Sequence, residues 1–478
     1  MTIRSAYDPD PRFMALGADF ADPVEPARFP ASHERFWNAR WAAATGLDTL
    51  DAASRAAHFQ RFEPLEGNQP EPLAMRYHGH QFRSYNPNLG DGRGFLFAQL
   101  RDGEGRLLDL ATKGSGQTPW SRTADGRLTL KGAVREILAA QMLEALGVYT
   151  SKPFAVFETG EPLQRHDEPS PTRSAVLTRL GHSHLRFGTF QRHAYEQAHE
   201  RLAQLVEHSI ENYYPALSQA EDRPAALLDA VVEANARLAA SWMAAGFVHG
   251  VLNTDNLNIT GESFDYGPWR FLPHYEPGFT AAYFDEQGLY AYGRQPEAVY
   301  WALQQFAGAL SVIGEGDSLA AALGRFPVLY REALLAAFLA RFGVASRGDE
   351  ADEAMLRAFL AFMQASSLPW EAVFFDWFGG SASRQRALEG SRSASYTGEP
   401  FEAWNAALMQ HDPVRPERHD HAYFQRGDPV AMTIDTVEAV WARIAEDDDW
   451  AALHSVLDDI EAARTGYDLG AGRSGFLP

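Results

Sequence analysis

The order of the predicted strands and helices is the feature of this sequence that most restricts its fold. Two pairs of strand-like runs are separated by one amphipathic helix, and beyond residue 187 the apolar spacing is mostly helical. The predicted strands cover residues 94–101, 106–113, 153–158 and 174–179, and the helix between the pairs covers 129–146. The pattern predicts an α+β fold with a small β-rich N-terminal part, a larger helical C-terminal part and a cleft between them.

The rest of the chain divides according to the same patterns. Residues 1–60 are rich in Pro, Ala and aromatic side chains, which predicts an irregular arm with short helices that packs on the main body. A stretch without helical spacing, 246–271, interrupts the C-terminal helices, which are predicted over 196–213, 225–245, 296–313, 318–342, 350–366 and 436–463. We therefore predict an N-terminal arm (1–71), a β-rich lobe (72–180), a helical lobe (181–315) and a C-terminal helical extension (316–478).

Charge and cysteine content exclude several classes of function. The 478 residues include 63 acidic and 42 basic side chains, giving a net charge of −21, which argues against a nucleic-acid partner. The chain contains no cysteine. Disulfides, zinc fingers, iron–sulfur clusters and thiol nucleophiles are therefore excluded.

The termini and apolar segments indicate the compartment. The first residues, MTIRSAYDPDPRF, lack the apolar core of a secretion signal, and early aspartates disfavour a transit peptide. No apolar stretch approaches the roughly 20 residues that cross a membrane. We expect a cytoplasmic protein without a membrane partner.

A glycine-rich segment, Asn88-Leu89-Gly90-Asp91-Gly92-Arg93-Gly94, precedes the first strand. Closely spaced glycines let backbone N–H groups approach an anion, and Arg93 adds a forked cation that suits phosphate. An ordinary glycine turn before a strand is the alternative. The segment differs from the dinucleotide-binding fingerprint because no helix follows it directly.

A lysine and a glutamate suggest a buried ion pair. Lys113 ends the second predicted strand, and a strand lysine after a Gly-rich strand pair holds nucleotide phosphates in protein kinases. Glu136 lies on the following helix among apolar positions, so it is expected to face inward and to require a partner. The alternative places both side chains on the surface.

The interruption at 246–271 contains hard oxygen ligands. Asp255, the adjacent Asn256 and Asp265 suit Mg²⁺ or Mn²⁺ held together with substrate phosphates. Asp265-Tyr266-Gly267 resembles the metal-binding Asp-Phe-Gly triplet of kinases, and His249 stands where kinases have the His of the catalytic loop. A polar turn capped by Asp is the alternative.

The comparison with ordinary kinases fails at one position. Kinases place their base two residues after that His, and here this residue is Val251, which cannot accept a proton. The chain is therefore either an inactive kinase or an enzyme with different chemistry.

Two further cations are Arg179, at the end of the fourth strand, and Arg186, shortly after it. The alternative is that both are solvated surface residues. With Arg93 and Lys113 they would form a pocket for the outer phosphates of a nucleotide. His78 and His80 have no third ligand, so we expect packing or hydrogen bonding from them rather than metal binding.

Long motifs in a fixed order give the chain a family resemblance. It resembles the selenoprotein O family, also called YdiU, in the strings YHGHQF, NLGDGRG, ATKGSGQTPWSR, ADGRLTLKGAVREIL, LTRLGHSHLRFGTFQ, HGVLNTDNLNI and FDYGP. The resemblance implies a protein-kinase-like bilobal fold. It also implies transfer of AMP, rather than phosphate, from ATP to Ser, Thr or Tyr hydroxyls of proteins, with the nucleotide reversed in the cleft, and self-modification is included among the possible targets.

The resemblance also implies roles for individual residues. Asp255 would be the base, and Asn256 and Asp265 would hold Mg²⁺ or Mn²⁺. Glu136 would orient Lys113. The implied ATP-binding residues are Gly90, Gly92, Arg93, Lys113, Asp125, Gly126, Arg179 and Arg186, completed by Glu136 and Asp265.

Two rival functions stay open, an atypical kinase that transfers the γ-phosphate and a pseudokinase scaffold that only binds nucleotide. Members of the family often carry a cysteine or selenocysteine near the C-terminus, whereas this chain ends RSGFLP. A thiol-based switch is therefore not expected here.

Overall fold

The structure, a computed structural model, describes residues 6–166 and 168–470. The outer ends of the predicted N-terminal arm and C-terminal extension lie outside these ranges. The described chain is a mixed α and β protein with one large antiparallel sheet. The predicted boundaries between arm, lobes and extension stay predictions.

The strands of the described chain are short except for two. They are β1 (Asp8–Pro9), β2 (Ala21–Pro23), β3 (His33–Trp37), β4 (Leu73–Met75), β5 (Gly79–Gln81), β6 (Ser84–Asn86), β7 (Leu96–Arg101), β8 (Leu107–Lys113), β9 (Leu128–Thr129), β10 (Lys152–Leu163), β11 (Thr172–Gly181), β12 (Phe247–Val248) and β13 (Arg270–Phe271). The large sheet has the order β2-β4-β7-β8-β11-β10-β3, with β1 added on β7 and β9 on β11.

Both predicted strand pairs are confirmed, β7 with β8 and β10 with β11. The Asp102 carboxylate closes the first turn by accepting the backbone N–H groups of Glu104 and Arg106, each at 3.0 Å. Every residue of β8 is buried, because this strand lies inside the sheet between β7 and β11. The backbone of Lys113 is therefore held inside the sheet and shielded from solvent.

The N-terminal segment is more ordered than the predicted irregular arm. Its β3 extends the edge of the sheet beside β10, while β1 and β2 pair with β7 and β4. These strands have two to five residues and no clear alternation, so their extended form depends on pairing with the sheet. Aromatic residues such as Trp41, Phe59 and Phe62 form one core cluster with β7, β8 and β10.

The helices follow the predicted spacing, with two corrections. They are α1 (Ala39–Ala44), α2 (Ala52–Phe59), α3 (Leu130–Ala145), α4 (Phe187–Tyr195), α5 (His199–Tyr213), α6 (Arg223–Ala245), α7 (Gln295–Leu310), α8 (Gly316–Gly324), α9 (Phe326–Phe342), α10 (Asp349–Ser366), α11 (Trp370–Trp377), α12 (Arg384–Glu389), α13 (Glu399–Leu408), α14 (Ile434–Asp447) and α15 (Ala451–Tyr467). The short helices α4, α11, α12 and α13 were not predicted from the sequence.

Two helices predicted as continuous are broken. The prediction over 318–342 is wrong at Arg325, because Pro327 is tolerated only in the first turn of a helix and so begins α9. The prediction over 436–463 is wrong at Asp448, which has a φ of 51° and ends α14. The Asp449 carboxylate then accepts the N–H of Ala451, at 2.9 Å, where α15 begins.

The helix α3 joins the sheet to the C-terminal helices. Thr129 caps it by accepting the N–H of Gly132, which agrees with the predicted start. One face of α3 lies on β10 and β11, and α14 and α15 pack against the helix. Glu136 belongs to its buried residues.

The non-helical stretch at 246–271 lies between α6 and α7 and faces the sheet. Gly246 ends α6 with a φ of 64°, and β12 and β13 then form a small ribbon. Isolated bridges join Thr150 to Ser263 and Arg186 to Asn258. The polar residues of this stretch are thereby brought next to the ends of β8 and β11.

Among the residues that the structure describes, none forms a helix of the length and apolarity needed to cross a membrane.

We predict that Gly94→Ala destabilises the protein by about 2 kcal/mol, because overpacking a tight core contact has this effect. A Cβ at Gly94, just before β7, would lie 2.0 Å from the carbonyl oxygen of Thr112 on the paired strand β8. The control is Gly308→Ala on α7, where a Cβ meets nothing within 4 Å. This change should stabilise the helix slightly. Urea denaturation midpoints measure both, and equal midpoints would contradict the prediction.

Candidate active site

A cleft of about 340 Å³ lies between the sheet and the 246–271 stretch. Eight of the residues singled out from the sequence line it together, although they come from distant parts of the chain. They are Gly90, Gly92, Arg93, Lys113, Arg179, Arg186, Asp255 and Asp265.

A buried cluster of charges forms the floor of this cleft. The Lys113 ammonium group contacts the Glu136 carboxylate and lies 2.9 Å from Asp265 Oδ1. An Nη atom of Arg179 lies 3.3 Å from the same Asp265 oxygen and 3.9 Å from Glu136. The predicted inward position of Glu136 is confirmed, and its partner is Lys113.

The neighbouring cations keep the Asp265 carboxyl group ionised. Burial alone raises its pKa, but Lys113, Arg179 and Arg186 lower that pKa well below its usual range. Its φ of 63° is left-handed, a conformation that is unusual outside glycine and frequent at functional sites. Buried His249 supports the turn, since its Nε2 lies 2.9 Å from the carbonyl oxygen of Phe264.

Arg186 reaches across the cleft from the start of α4. One Nη donates to the backbone carbonyl of Asp255 at 2.8 Å, and the other lies 3.3 Å from Asp91 Oδ1. The guanidinium also stacks on Tyr77, 4.5 Å from the ring centre. The cation is therefore fixed in place before any ligand arrives.

Several polar atoms of the cleft have no protein partner. Among the described residues, the Nε atoms of Arg179 and Arg186 and Oδ1 of Asp255 are buried without a hydrogen bond. Buried polar groups are nearly always paired, so such atoms indicate a place for a ligand. Two of the three are cationic donors, which favours an anionic ligand.

Asp255 differs from Asp265 in its electrostatics. It is 8% exposed, and burial raises its pKa to about 6, with Arg186 opposing the shift. Gly79 makes room for the carboxylate, since a Cβ there would lie 3.0 Å from Asp255 Oδ1. A carboxylate with such a pKa can accept a proton near neutral pH.

The loop before Asp255 is held by the β5–β6 hairpin. The backbone N–H of His80 donates to Thr254 Oγ1 at 2.7 Å, and that of Phe82 donates to Asn253 Oδ1 at 3.1 Å. Thr254 Oγ1 in turn donates to Gln191 Oε1 at 2.7 Å. The hairpin therefore fixes the position of the following carboxylate.

The two histidines of the YHGHQF string take part in hydrogen bonds, as predicted. His80 Nδ1 lies 2.9 Å from Gln191 Nε2, and His78 Nδ1 lies 2.8 Å from the Tyr85 hydroxyl.

The glycine-rich segment packs against Trp120. A Cβ at Gly90 would lie 2.3 Å from the indole ring, and one at Gly92 would lie 3.0 Å from the Trp120 carbonyl oxygen. Close packing of Trp120 therefore explains these glycines, whether or not their N–H groups also meet an anion. The exposed Arg93 lies next to them at the mouth of the cleft.

Of the four predicted residues that do not line the cleft, Glu136 belongs to the charge cluster beneath it and three lie beside the cleft. Asp125 accepts from Arg165 at 2.8 Å, and Gly126 turns the chain with a φ of 69° against Gly116. The side-chain amide of Asn256 donates to the Val251 carbonyl at 3.0 Å, which turns Asn256 back along its own loop.

Further residues of the cleft were not predicted from the sequence. Asp91, Tyr77 and the exposed Arg122 line it, and Arg122 has a left-handed φ of 54°. Asp91 lies inside the glycine-rich string, so an acidic residue between two glycines was the available signal. Tyr77 begins the string YHGHQF and Arg122 ends the string ATKGSGQTPWSR, so membership in these strings was the available signal for them.

We predict that Asp255→Asn stabilises the protein, kept free of nucleotide and treated with a metal chelator, by an amount that grows between about pH 4 and pH 6 and is complete above that range. The carboxyl ionises near pH 4 when unfolded and near pH 6 when folded. Its burial therefore lowers stability increasingly as pH rises through this window, by at most about 3 kcal/mol. Thermal midpoints at pH 4 and pH 7.5 measure the gain.

The matched control is Asp458→Asn, which changes an exposed carboxylate on α15. It should shift the midpoint equally at both pH values. A gain from Asp255→Asn that is the same at pH 4 and pH 7.5 would show that burial does not disfavour the Asp255 anion.

Comparison with known proteins gives one family. The family model described as "Protein adenylyltransferase SelO" matches residues 4–461. A protein nucleotidyltransferase YdiU of Gloeobacter violaceus is 41% identical over 462 residues, which cover 94% of each chain.

Further relatives carry the same description. The protein of Synechocystis sp. is 39% identical over 467 residues, covering 95% of this chain and 98% of the relative. The protein of Pseudomonas putida strain W619 is 39% identical over 405 residues, covering 84% and 81%. The similarity thus extends over nearly the whole chain.

Proposed function

Because the chain belongs to the SelO family of protein adenylyltransferases, we propose that it transfers AMP from ATP to hydroxyl groups of proteins and releases pyrophosphate. Its family establishes that the chain is a nucleotidyltransferase. The identity of the nucleotide, its orientation in the cleft and the acceptor group are parts of the proposal. Ser, Thr and Tyr hydroxyls are the proposed acceptors, self-modification included. A cytoplasmic place of action stays a prediction.

The observation that carries the proposal is the set of unsatisfied cations. Arg179 and Arg186 each leave a buried Nε without a partner in the described chain, next to Lys113. A triphosphate supplies several anionic oxygens that such donors can bind. In a chain of net charge −21, this local gathering of cations favours a phosphate ligand.

We propose a protein-kinase-like arrangement in which the nucleotide lies reversed. Lys113 on an inner strand, Glu136 on the next helix and Asp265 after the His249-supported turn support this comparison. With the outer phosphates on the buried floor, the α-phosphate faces Asp255. The exposed Arg93 would contact the nucleotide from the mouth, and Asp125 and Gly126 would contact it from the neighbouring loop.

Two residues at the cleft offer the hard oxygen ligands that a divalent cation prefers, although Asn256 lies at its edge. Asp265 and Asn256 offer a carboxylate and an amide oxygen, and Mg²⁺ or Mn²⁺ commonly takes one or two such ligands plus phosphate oxygens. Among the described residues, no three acidic or histidine side chains gather into a metal site. The remaining ligands would therefore come from the substrate. A bound cation would neutralise charge that develops on phosphate oxygens.

Asp255 is the proposed base. The acceptor oxygen attacks the α-phosphorus, the bond from that phosphorus to the bridging oxygen breaks, and pyrophosphate leaves with the electron pair. The hydroxyl proton passes to a carboxylate oxygen of Asp255, whose Oδ1 has no hydrogen-bond partner among the described residues. Lys113, Arg179 and Arg186 bind the phosphates that become the leaving group.

We predict that ATP labelled at the α-phosphate labels protein, whereas ATP labelled at the γ-phosphate does not. Asp265→Asn and Lys113→Met should lower this transfer at least about 100-fold, since each removes a charge that contacts the phosphates or their metal. Asn suits the left-handed φ at position 265, and Met keeps the volume of the lysine stem.

The matched control for charge is Lys131→Met, which removes an exposed ion pair with Glu438. Its transfer should match that of the original protein. Incorporation of the γ label alone would favour the atypical kinase, and ATP binding without incorporation of either label would favour the pseudokinase scaffold.

We predict that Asp255→Asn lowers kcat for AMP transfer about 100-fold or more, while the Kd for ATP changes less than about threefold. The base acts on the acceptor, and its side chain is not one of the cations that meet the phosphates. Single-turnover rates and calorimetric titration with ATP separate the two quantities. A large loss of ATP affinity with unchanged kcat would make Asp255 a nucleotide ligand instead.

A further inference from the structure

The tip of the β5–β6 hairpin has an unusual backbone. Its two central residues, Phe82 and Arg83, have φ values of 47° and 65°, and Gln81 pairs with Ser84 on either side. Tight hairpins of this kind strongly favour Asn-Gly, because residues with a bulky side chain are strained at positive φ. The chain places Phe and Arg there instead, which suggests that their side chains are needed.

The Phe82 ring does not serve the hydrophobic core. It is 39% exposed, and its ring neighbours are Tyr290 at 5.1 Å and Phe284 at 5.9 Å. Phe284 is 47% exposed and Tyr283, in contact with it at 5.2 Å, is 87% exposed. We name these three side chains, Phe82, Tyr283 and Phe284, the aromatic patch. Contiguous exposed aromatic side chains generally mark an interaction site.

Hydrogen bonds hold the backbone next to the aromatic patch on both sides. The Asp285 carboxylate accepts the backbone N–H groups of Leu289 and Tyr290, each at 2.8 Å, which fixes the loop that carries Tyr283 and Phe284. On the hairpin side, the Phe82 N–H donates to Asn253 Oδ1, and the Tyr290 hydroxyl donates to the same oxygen at 2.8 Å. Rigid aromatic surfaces lose little conformational freedom when they bind a partner.

The patch borders the proposed acceptor site. Gln81, which precedes Phe82, lines the same cleft as Asp255, and Asn253 lies two residues before that aspartate. Asp255 is nearly buried, so an acceptor hydroxyl must be carried to it by a segment that crosses the mouth of the cleft. The residues that flank the hydroxyl then meet the surface beside the mouth.

The chemistry of the tip favours an apolar side chain. Arg83 is already engaged, with Glu297 at 3.2 Å and with the Trp301 ring at 5.5 Å. Of the two tip residues, Phe82 therefore has the more available side chain, and the exposed rings of Tyr283 and Phe284 lie beside it. Burial of apolar side chains against aromatic rings is favourable without a charge partner.

We propose that the aromatic patch binds an apolar side chain of the protein substrate within a few residues of the acceptor hydroxyl, and so determines which hydroxyls are modified. The proposal rests on the proposed function. The cationic floor binds the nucleotide, and the patch selects the acceptor.

The test uses the full-length protein with ATP and a lysate of cell proteins, and modified sites are mapped by mass spectrometry. The sites should be enriched in Leu, Ile, Met, Phe or Tyr within three positions of the acceptor. Phe82→Asn suits the left-handed turn but removes the ring. It should lower the labelling rate of these sites about tenfold, which corresponds to a loss of ~1.4 kcal/mol in binding of the acceptor segment. The double variant Tyr283→Ser with Phe284→Ser should act in the same direction, and neither should change the Kd for ATP.

The control is Val328→Ser, which removes an apolar side chain that is 56% exposed on α9. It should leave site choice and rate unchanged. The proposal is overturned if the sites show no apolar enrichment, or if the enrichment survives in both patch variants. Weaker ATP binding by Phe82→Asn would assign the patch to the adenine base, and a change in the sedimentation mass would assign it to contact between two copies.

Failure of the underlying function gives a different result. If the unaltered protein adds AMP to no protein at all, the proposed transfer is wrong and this inference is wrong with it. If AMP is added at sites unrelated to apolar neighbours, the transfer stands and only the role of the patch is refuted.

Discussion

The contact of Lys113 with Glu136 and Asp265 is the interaction on which the site depends. The three charges come from an inner strand, from the helix that covers the sheet and from the loop between α6 and α7. Burying one charge alone is strongly unfavourable, so each charge requires the other two to be in place. The cluster therefore joins three separate elements of the fold, and a shift of any of them would leave a buried charge unpaired.

Segments that are distant in sequence shield this cluster from solvent. N-terminal aromatic residues such as Trp41 and Phe59 cover one side of the sheet, while α14 and α15 pack against α3 on the other. The segments before and after the motif-bearing region are thus structural parts of the site. Low local polarity strengthens each ionic contact in the cleft and makes an unpaired group more unfavourable.

Local patterns were sufficient to predict the two strand pairs, α3 and most long helices, because apolar spacing and turn residues act over short distances. The inward position of Glu136 was predictable for the same reason, since its neighbours on the helix are apolar. Long-range pairing was not predictable: β3 is extended only because β10 lies beside it, and Trp120 meets Gly90 only in the folded chain. Asp91 and Tyr77 join the cleft through such contacts, and the strings that contain them do not show which residues they meet.

Several strained and electrostatically unfavourable features lie around the cleft. Asp265, Phe82, Arg83 and Arg122 all have left-handed φ values without being glycine, and Asp255 keeps a carboxyl where burial disfavours its charge. Such features lower stability, so they persist where the surrounding structure holds them and where the side chains have a use. Glycine would relieve the backbone at the hairpin tip, but at position 82 it would remove the Phe82 ring from the surface beside the cleft. The same rigid hairpin that fixes the loop before the base therefore also fixes the side chains that an acceptor must pass.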